Sequence, residues 1–138
     1  MNDCIFCKII KNESPSHKVW ENENFLAFLT LGSLNCGHTL LIPKKHIDYI
    51  FDLEEPLYTG IFLTAKQLSK PLKKAMAAKR IGVIIEGFTV PHVHIHLVPL
   101  HNEDEIDPQR VKKMTDIELA EAAEKISKKI KSGDESIL

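Results

Sequence analysis

Residues 92–98 alternate histidine with aliphatic side chains, in the order HVHIHLV. In a β-strand successive side chains point to opposite faces of the sheet, so the alternation predicts a strand over residues 90–98 with all three imidazoles on one face. A rise of about 3.3 Å per residue starts neighbouring imidazoles about 6.6 Å apart and the outer two about 13 Å apart. One metal ion therefore cannot easily bind all three rings, although two adjacent rings could share one.

Three histidines are an unusual choice for a strand face that only has to be polar, because threonine, lysine, serine or glutamate would serve equally well. Histidine is required where a ring nitrogen acts near neutral pH as a nucleophile, a proton carrier or a metal ligand. The alternation therefore indicates a chemical site on one face of a sheet, and it leaves the choice among these three roles open.

Four further strands are predicted from β-rich runs bounded by polar residues, glycine or proline. The polar tetrad at 21–24 suits a hairpin loop, residues 30–37 a longer loop, and residues 86–89 the connection into the histidine strand. The four strands are expected at residues 18–20, 25–29, 38–42 and 81–85.

Two helices are predicted in the first two thirds of the chain. Helix-compatible apolar spacing predicts one or two helical turns over residues 4–10. Apolar residues then recur in steps of three and four from about Asp52, a possible N-cap, to Met76. This stripe stays in phase across Pro71, so we expect one kinked helix rather than two separate ones.

A C-terminal helix is predicted over about 115–131. Thr115 followed three residues later by Glu118 forms a capping-box pattern, and apolar residues then fall on one face. Together the predicted elements indicate a single α+β domain over residues 1–138, with about five antiparallel strands and two main helices.

Charge and hydropathy exclude two classes of partner. Eighteen basic and nineteen acidic side chains give a formal net charge of -1, and the basic residues occur only in short clusters, so we expect no nucleic-acid partner. No apolar run approaches the ~18 residues that span a bilayer, and Asp3 stands where a signal peptide would carry positive charge. We therefore expect a cytoplasmic protein with no membrane partner.

The three cysteines cannot all pair, and Cys4 and Cys7 are too close in sequence to close a useful disulfide loop. In a reducing compartment they are metal ligands or free thiols. Two thiolates at the Cys-x2-Cys spacing can reach one ion from a single turn of chain, which is half of a zinc site. Cys36 is most simply a small buried or half-buried residue.

Three segments together resemble the histidine triad (HIT) superfamily of nucleotide hydrolases and transferases. They are CIFCKII at 4–10, GHTLLIPKKH at 37–46 and the HVHIHLV triad, in the family's order, so the resemblance covers about residues 4–100. It implies a HIT-like fold and a bacterial-type nucleotide hydrolase of the phosphoramidase or dinucleoside polyphosphate hydrolase type. It also implies a purine nucleotide as the substrate and a homodimer as the assembly.

The resemblance implies a covalent mechanism at the α-phosphorus of a nucleotide. His94, the middle histidine, would be the nucleophile, with its other ring nitrogen donating to a backbone carbonyl to hold the required tautomer. His96 and His38 would hydrogen-bond the phosphate oxygens as negative charge builds. Water would then hydrolyse the nucleotidyl-histidine and release a nucleoside monophosphate.

A structural zinc site is also implied, because zinc-containing members complete it with the histidine of the PKKH block and the first triad histidine. That assignment leaves the other two triad rings free for phosphate. His101 is the competing fourth ligand and His17 a weaker one. The implied ligands of the structural Zn²⁺ are Cys4, Cys7, His46 and His92.

The chain departs from the family at the expected substrate contacts. Thr30 stands where many relatives carry an aspartate that binds the ribose hydroxyls, and Phe88 stands where a glutamine is common. Thr89 falls where the family often places a hydroxyl residue that contacts the phosphate or the leaving group. An apolar nucleoside pocket is expected on the hairpin, and the candidates to sandwich the base are Phe25, Phe28, Leu29 and Leu31.

Two other functions fit the same residues. The departures at the substrate contacts favour a zinc-stabilised nucleotide-binding or partner-binding protein with little catalysis. A metallohydrolase would instead use His94 and His96 as ligands of a catalytic ion.

Overall fold

The structure is a computed structural model that describes residues 3–133. The main secondary-structure elements are defined here by their first and last residues, and two short 3₁₀ turns lie at Ile50–Asp52 and Pro108–Arg110. In chain order the elements are α1 (Ile5–Ile10), β1 (Lys18–Glu21), β2 (Phe25–Leu29), β3 (Gly32–Ser33), β4 (Thr39–Pro43), α2 (Leu57–Ala75), β5 (Arg80–Ile84), β6 (Ile95–Leu100), β7 (Lys112–Lys113) and α3 (Asp116–Lys131).

Within residues 3–133, five strands form one antiparallel sheet in the order β1-β2-β4-β6-β5. The α+β fold with a five-stranded antiparallel sheet and two main helices is therefore confirmed. The short strands β3 and β7 pair with each other in a second, two-stranded sheet. Residues 30–37 were expected to be loop throughout, and that expectation is wrong at β3. No local signal in the sequence indicated this strand, because its partner lies about 80 residues away.

Both faces of the sheet are covered, which explains why every residue of β2 and β4 is buried. On one face the helices α2 and α3 pack against Leu41, Ile95 and Leu97. On the other face α1 supplies Phe6 and Ile9 to a smaller cluster. The remaining buried members of that smaller cluster are Leu26, Phe28, Leu40 and Ile42.

The histidine strand begins later than the sequence predicted. The strand β6 starts at Ile95 and runs to Leu100, so the expected strand over 90–98 is wrong in its first half. The β4–β6 pairing ends at Leu41 opposite Ile95, and further along β4 stands Pro43, which has no N–H to donate. Side chains still alternate between the two faces before β6 begins, because Val93 is buried on the same face as Ile95.

The long helix α2 runs without a break through Pro71, as predicted. Its start differs from the expectation, because Asp52 lies in a 3₁₀ turn and does not cap the helix. The helix follows Pro56, and no side-chain hydrogen bond caps its N-terminus. Among the described residues, no helix combines the length and the apolar character needed to cross a bilayer.

The C-terminal helix α3 begins with the predicted capping box. The Thr115 hydroxyl accepts a hydrogen bond from the Glu118 N–H at 3.1 Å, and the Glu118 carboxylate accepts one from the Thr115 N–H at 2.9 Å. The helix then buries Leu119 and Ile126 against the sheet. The capping box thus satisfies two backbone N–H groups that would otherwise be unpaired, at the start of a helix that contributes to the core.

Replacement of Thr115 by Ala should lower the free energy of unfolding by about 1 kcal/mol, because the Glu118 N–H loses its acceptor. Thr115→Ser, which keeps a hydroxyl at this position, is the matched control and should retain most of the stability. Urea denaturation of the three proteins measures the difference. Equal midpoints for the Ala and Ser variants would contradict the role of the cap.

Candidate functional site

His94 is held in one tautomer by the backbone. Its Nδ1 lies 2.7 Å from the carbonyl oxygen of His92, which can only accept, so Nδ1 carries the proton. In a neutral ring Nε2 then keeps its lone pair. The ring packs edge-on against Phe6 and His96, each at a centroid distance of 5.1 Å. His94 therefore has one fixed nitrogen and one nitrogen available as a nucleophile.

A chain of hydrogen bonds fixes the tautomer of His96. The Leu34 N–H donates to His38 Nδ1 at 3.0 Å, so in a neutral His38 ring the proton lies on Nε2. His38 Nε2 lies 2.9 Å from His96 Nδ1 and donates to it. His96 Nδ1 is then an acceptor, and its Nε2 carries a proton that it can donate to a ligand.

Burial keeps the His38 and His96 rings neutral. Desolvation, helped by the neighbouring imidazole, lowers the pKa of His38 to about 4. The pKa of His96 is likewise lowered to about 4, mainly by burial and then by His94. At neutral pH the two rings are uncharged, as the order of donors and acceptors requires.

His38, which is expected to hydrogen-bond a phosphate oxygen, already has partners within the protein. Both of its ring nitrogens are already engaged, one by the Leu34 N–H and the other by His96. Its residue is only 3% exposed. A direct hydrogen bond from His38 to phosphate stays a prediction, and the described structure shows His38 in contact with His96.

The structure brings the four predicted metal ligands together. Each offers one sulfur or nitrogen atom, and these atoms all lie within 4.8 Å of one another. His46 Nδ1 lies 3.1 Å from His92 Nδ1 and 3.3 Å from Cys7 Sγ, and Cys4 Sγ lies 3.4 Å from His92 Nδ1. Around a tetrahedral zinc ion, neighbouring N–N and N–S pairs would lie roughly 3.4–3.6 Å apart. The cluster therefore fits the size of a Cys2His2 site.

The second nitrogen of His92 supports the same interpretation. Its Nε2 lies 2.9 Å from the carbonyl oxygen of Pro43, so Nε2 donates and Nδ1 directs its lone pair at the cluster. Burial, together with the neighbouring Cys4 thiol, raises the pKa of the Cys7 thiol. A divalent cation at the cluster would offset the cost of ionising two adjacent thiols.

The alternative ligands lie elsewhere. His101 follows the end of β6, where its backbone N–H donates to Glu105 at 2.6 Å. The side chain of His17 lies 3.8 Å from the Asp116 carboxylate. Within the described residues the cluster contains neither of them.

The expected substrate contacts lie in two separate cavities. Phe28 and Thr30 line a cavity of about 1040 Å³ between α1, β2 and α3, which Leu29 and Leu31 also border. The Phe28 ring packs edge-on against Phe6 at 5.5 Å, on the same side of the sheet as the triad. Thr89 lines a smaller cavity of about 450 Å³ next to Cys4 and His46.

Two of the expected substrate-contact residues also interact with other parts of the protein. Most of Leu29 is buried in the core beneath α2 and α3, where Phe25 also lies. The Thr30 hydroxyl donates to the Gly32 carbonyl at 3.3 Å. The other wall of the large cavity comes from Met114 and Ile117, residues that no pattern in the sequence indicated.

The HIT domain family matches residues 11–103, and the chain belongs to this family. An uncharacterized HIT-like protein of Borreliella burgdorferi is 37% identical over 111 residues, which cover 75% of this chain and 80% of that protein. Adenosine 5'-monophosphoramidase HNT1 of Saccharomyces cerevisiae is 39% identical over 102 residues, 72% of this chain and 64% of that protein. A Zn-bound histidine triad family protein from Mycobacterium smegmatis has a crystal structure that matches with a TM-score of 0.82 at 25% identity, over 94% of each chain. The family and the fold predicted from the sequence are confirmed.

The Cys/His cluster predicts zinc that purifies with the protein. Cys7→Ser should lose the metal and lower the melting temperature, because one of four ligands is weakened. His101→Ala is the matched control and should keep the metal. Elemental analysis and thermal unfolding, with and without a chelator, measure both properties. Full zinc content in Cys7→Ser, or loss of zinc in His101→Ala, would contradict the assignment.

The lowered pKa of His38 predicts a pH-dependent stability. Between about pH 6.5 and pH 4 the unfolded chain binds a proton at this ring and the folded chain does not, so the free energy of unfolding falls as the pH falls. His38→Gln should reduce this slope by up to about 1.4 kcal/mol per pH unit. Urea denaturation from pH 7.5 to pH 4.5 compares the two proteins, each relative to its own value at pH 7.5. Parallel curves would contradict the prediction.

Proposed function

We propose that the chain is a nucleotide phosphoramidase or nucleotidyl hydrolase that acts on the α-phosphorus through a covalent nucleotidyl-histidine. The observation that carries the proposal is the fixed tautomer of His94, whose Nδ1 donates to the His92 carbonyl and leaves Nε2 unprotonated. An imidazole in this state is a nucleophile without loss of a proton. The similarity to a named adenosine 5'-monophosphoramidase supports the same reaction class.

The reaction has two steps. In the first, His94 Nε2 bonds to the α-phosphorus as the P–N or phosphoanhydride bond breaks, and the leaving group takes the bonding electrons and a proton from the medium. In the second, a water oxygen bonds to the phosphorus as the P–Nε2 bond breaks. Water supplies a hydroxyl to the phosphorus and a proton to the medium, and a nucleoside monophosphate leaves.

The donor nearest the nucleophile is His96. Its Nε2–H is fixed by His38, and its ring lies 5.1 Å from that of His94, centroid to centroid. A donor that is already oriented stabilises the charge that builds on a phosphate oxygen without reorganisation during the reaction. Thr89 is proposed to contact the phosphate or the leaving group through its hydroxyl.

The large cavity is proposed to hold the nucleoside of a purine nucleotide. Its floor includes Phe6, which contacts His94, so a nucleotide with its phosphate at the triad would extend its base into this space. Phe28 would pack against the base, Leu29 would border it, and Thr30 would face the ribose. A neutral hydroxyl is a weaker ribose ligand than a carboxylate, so more of the affinity would come from apolar contact.

Zinc is proposed as a structural ion bound by Cys4, Cys7, His46 and His92. Bound there it would supply no reaction chemistry and would connect α1, the turn after β4 and the segment before β6. The Zn-bound relative from Mycobacterium smegmatis supports a metal in this family. His92 would then be a ligand rather than a phosphate contact.

The hydrogen bonds argue against a catalytic metal at His94 and His96. Each ring has one nitrogen engaged within the protein, and the remaining nitrogen of His96 carries a proton. A protonated nitrogen is not a metal ligand. A nucleotide-binding protein with little catalysis remains the second candidate, favoured by the Thr30 hydroxyl that already donates to a backbone carbonyl.

His94→Ala should reduce kcat for adenosine phosphoramidate by about a thousandfold or more, because it removes the nucleophile. Quenched reactions of the unmodified protein should yield an acid-labile nucleotidyl adduct on the peptide that contains residue 94. The control His101→Ala should keep both kcat and the adduct. Unchanged kcat in His94→Ala would refute the role of this ring, and tight nucleotide binding without turnover would favour the second candidate.

A further inference from the structure

The turn that presents His38 has a defined geometry. The His38 N–H donates to the Asn35 carbonyl at 3.1 Å, which closes a four-residue turn. Gly37 occupies its third position with φ +88°, where a Cβ would lie 2.6 Å from the Met76 side chain. The turn thus combines a glycine-dependent conformation with little space for movement.

The nitrogen and the oxygen of the Asn35 side-chain amide both anchor this turn. Its Nδ2 donates to the Pro99 carbonyl at 2.8 Å and to Glu105 Oε1 at 3.1 Å. Its Oδ1 accepts from Arg110 at 2.8 Å. The first residue of the turn is thereby fixed to the end of β6 and to the loop that follows β6.

Glu105 is the centre of this network. Its Oε1 also accepts from the backbone N–H groups of His101 at 2.6 Å and Asn102 at 3.1 Å. These bonds, the His101 bond first, lower the pKa of Glu105 to about 2, so the side chain is a carboxylate at neutral pH. Its residue is 9% exposed, and Arg110 lies 3.8 Å from its second oxygen.

We propose that Glu105 is a positioning residue for the phosphate site, which it sets through Asn35 and the turn that carries His38. The inference rests on the proposed function, in which His96 donates to a phosphate oxygen. Glu105 follows the residues that the HIT domain family matches, so the family pattern does not account for it. The link is direct at every step, from Glu105 to Asn35 to the turn, and from Leu34 at the turn to His38 and His96.

The network affects the site by fixing the tautomer of His38. If the turn loosens, the Leu34 N–H no longer meets Nδ1, and His38 can carry its proton on Nδ1 instead. His38 Nε2 would then accept from His96 Nδ1–H, and His96 Nε2 would present a lone pair to the substrate. A lone pair facing a phosphate oxygen is repulsive, so the transition state loses a donor while the fold remains.

Glu105→Ala tests the proposal in the full-length protein. Long-range ¹H–¹⁵N correlation spectra of histidine-labelled protein report the tautomer of each ring. We expect His38 and His96 to be protonated at Nε2 alone in the unmodified protein and partly at Nδ1 in the variant. We also expect kcat for adenosine phosphoramidate to fall roughly tenfold or more, with KM changed less than about twofold.

Glu103→Ala, an exposed acid in the same loop, is the matched control and should leave tautomers and kcat unchanged. Glu105→Gln keeps an amide oxygen as acceptor without the charge, and it should be intermediate in both measurements. This milder variant carries the test if Glu105→Ala does not fold. Unchanged tautomers in a folded Glu105 variant would overturn the inference. If the unmodified protein has no turnover, the proposed function fails, and the spectra still decide the role of Glu105.

Discussion

His92 connects His94 to the Cys/His cluster, because its three polar groups have three different partners. Its Nδ1 faces the cluster, its Nε2 donates to the Pro43 carbonyl, and its own carbonyl accepts from His94 Nδ1. Any ion that fixes this ring therefore also fixes the carbonyl that sets the tautomer of His94. Phe6 packs edge-on against both rings, so α1 holds the two imidazoles in the same relation. The Cys/His cluster and the backbone contact that fixes the His94 ring thus share one residue.

The site is built from neutral imidazoles whose protons are placed by the backbone. Burial disfavours the charged form of His38 and His96, so an orientation of donors and acceptors can be maintained that a doubly protonated ring would destroy. The order begins at the Leu34 N–H, so the loop after β2 sets the proton positions of His38 and His96. Oriented neutral donors can stabilise developing charge at little reorganisation cost.

The segment that follows β6 contacts the loop that follows β2. The strand β7 pairs with β3, and the Met114 N–H donates to the Leu31 carbonyl at 3.2 Å. Glu105 binds the Asn35 side chain at the other end of the loop. The part of the chain beyond the family match therefore encloses the loop that supplies His38 and borders the large cavity.

The sequence by itself determined the elements whose signals are local. Side-chain alternation placed Val93, Ile95 and Leu97 in the core, the capping box located α3, and an in-phase apolar stripe carried α2 through Pro71. The resemblance to the family also named the four cluster residues, which the fold then brought together from three segments. These features follow from spacing within a few residues or from a known pattern.

Only the tertiary structure decided the features that depend on distant backbone groups. The late start of β6 follows from Pro43 on the neighbouring strand, and the pairing of β3 with β7 joins segments that no local pattern links. The tautomer of His96 depends, through His38, on the Leu34 N–H, which lies far away in the chain. A sequence states which rings are present, whereas hydrogen-bond partners from the folded backbone decide which nitrogen of each ring carries the proton.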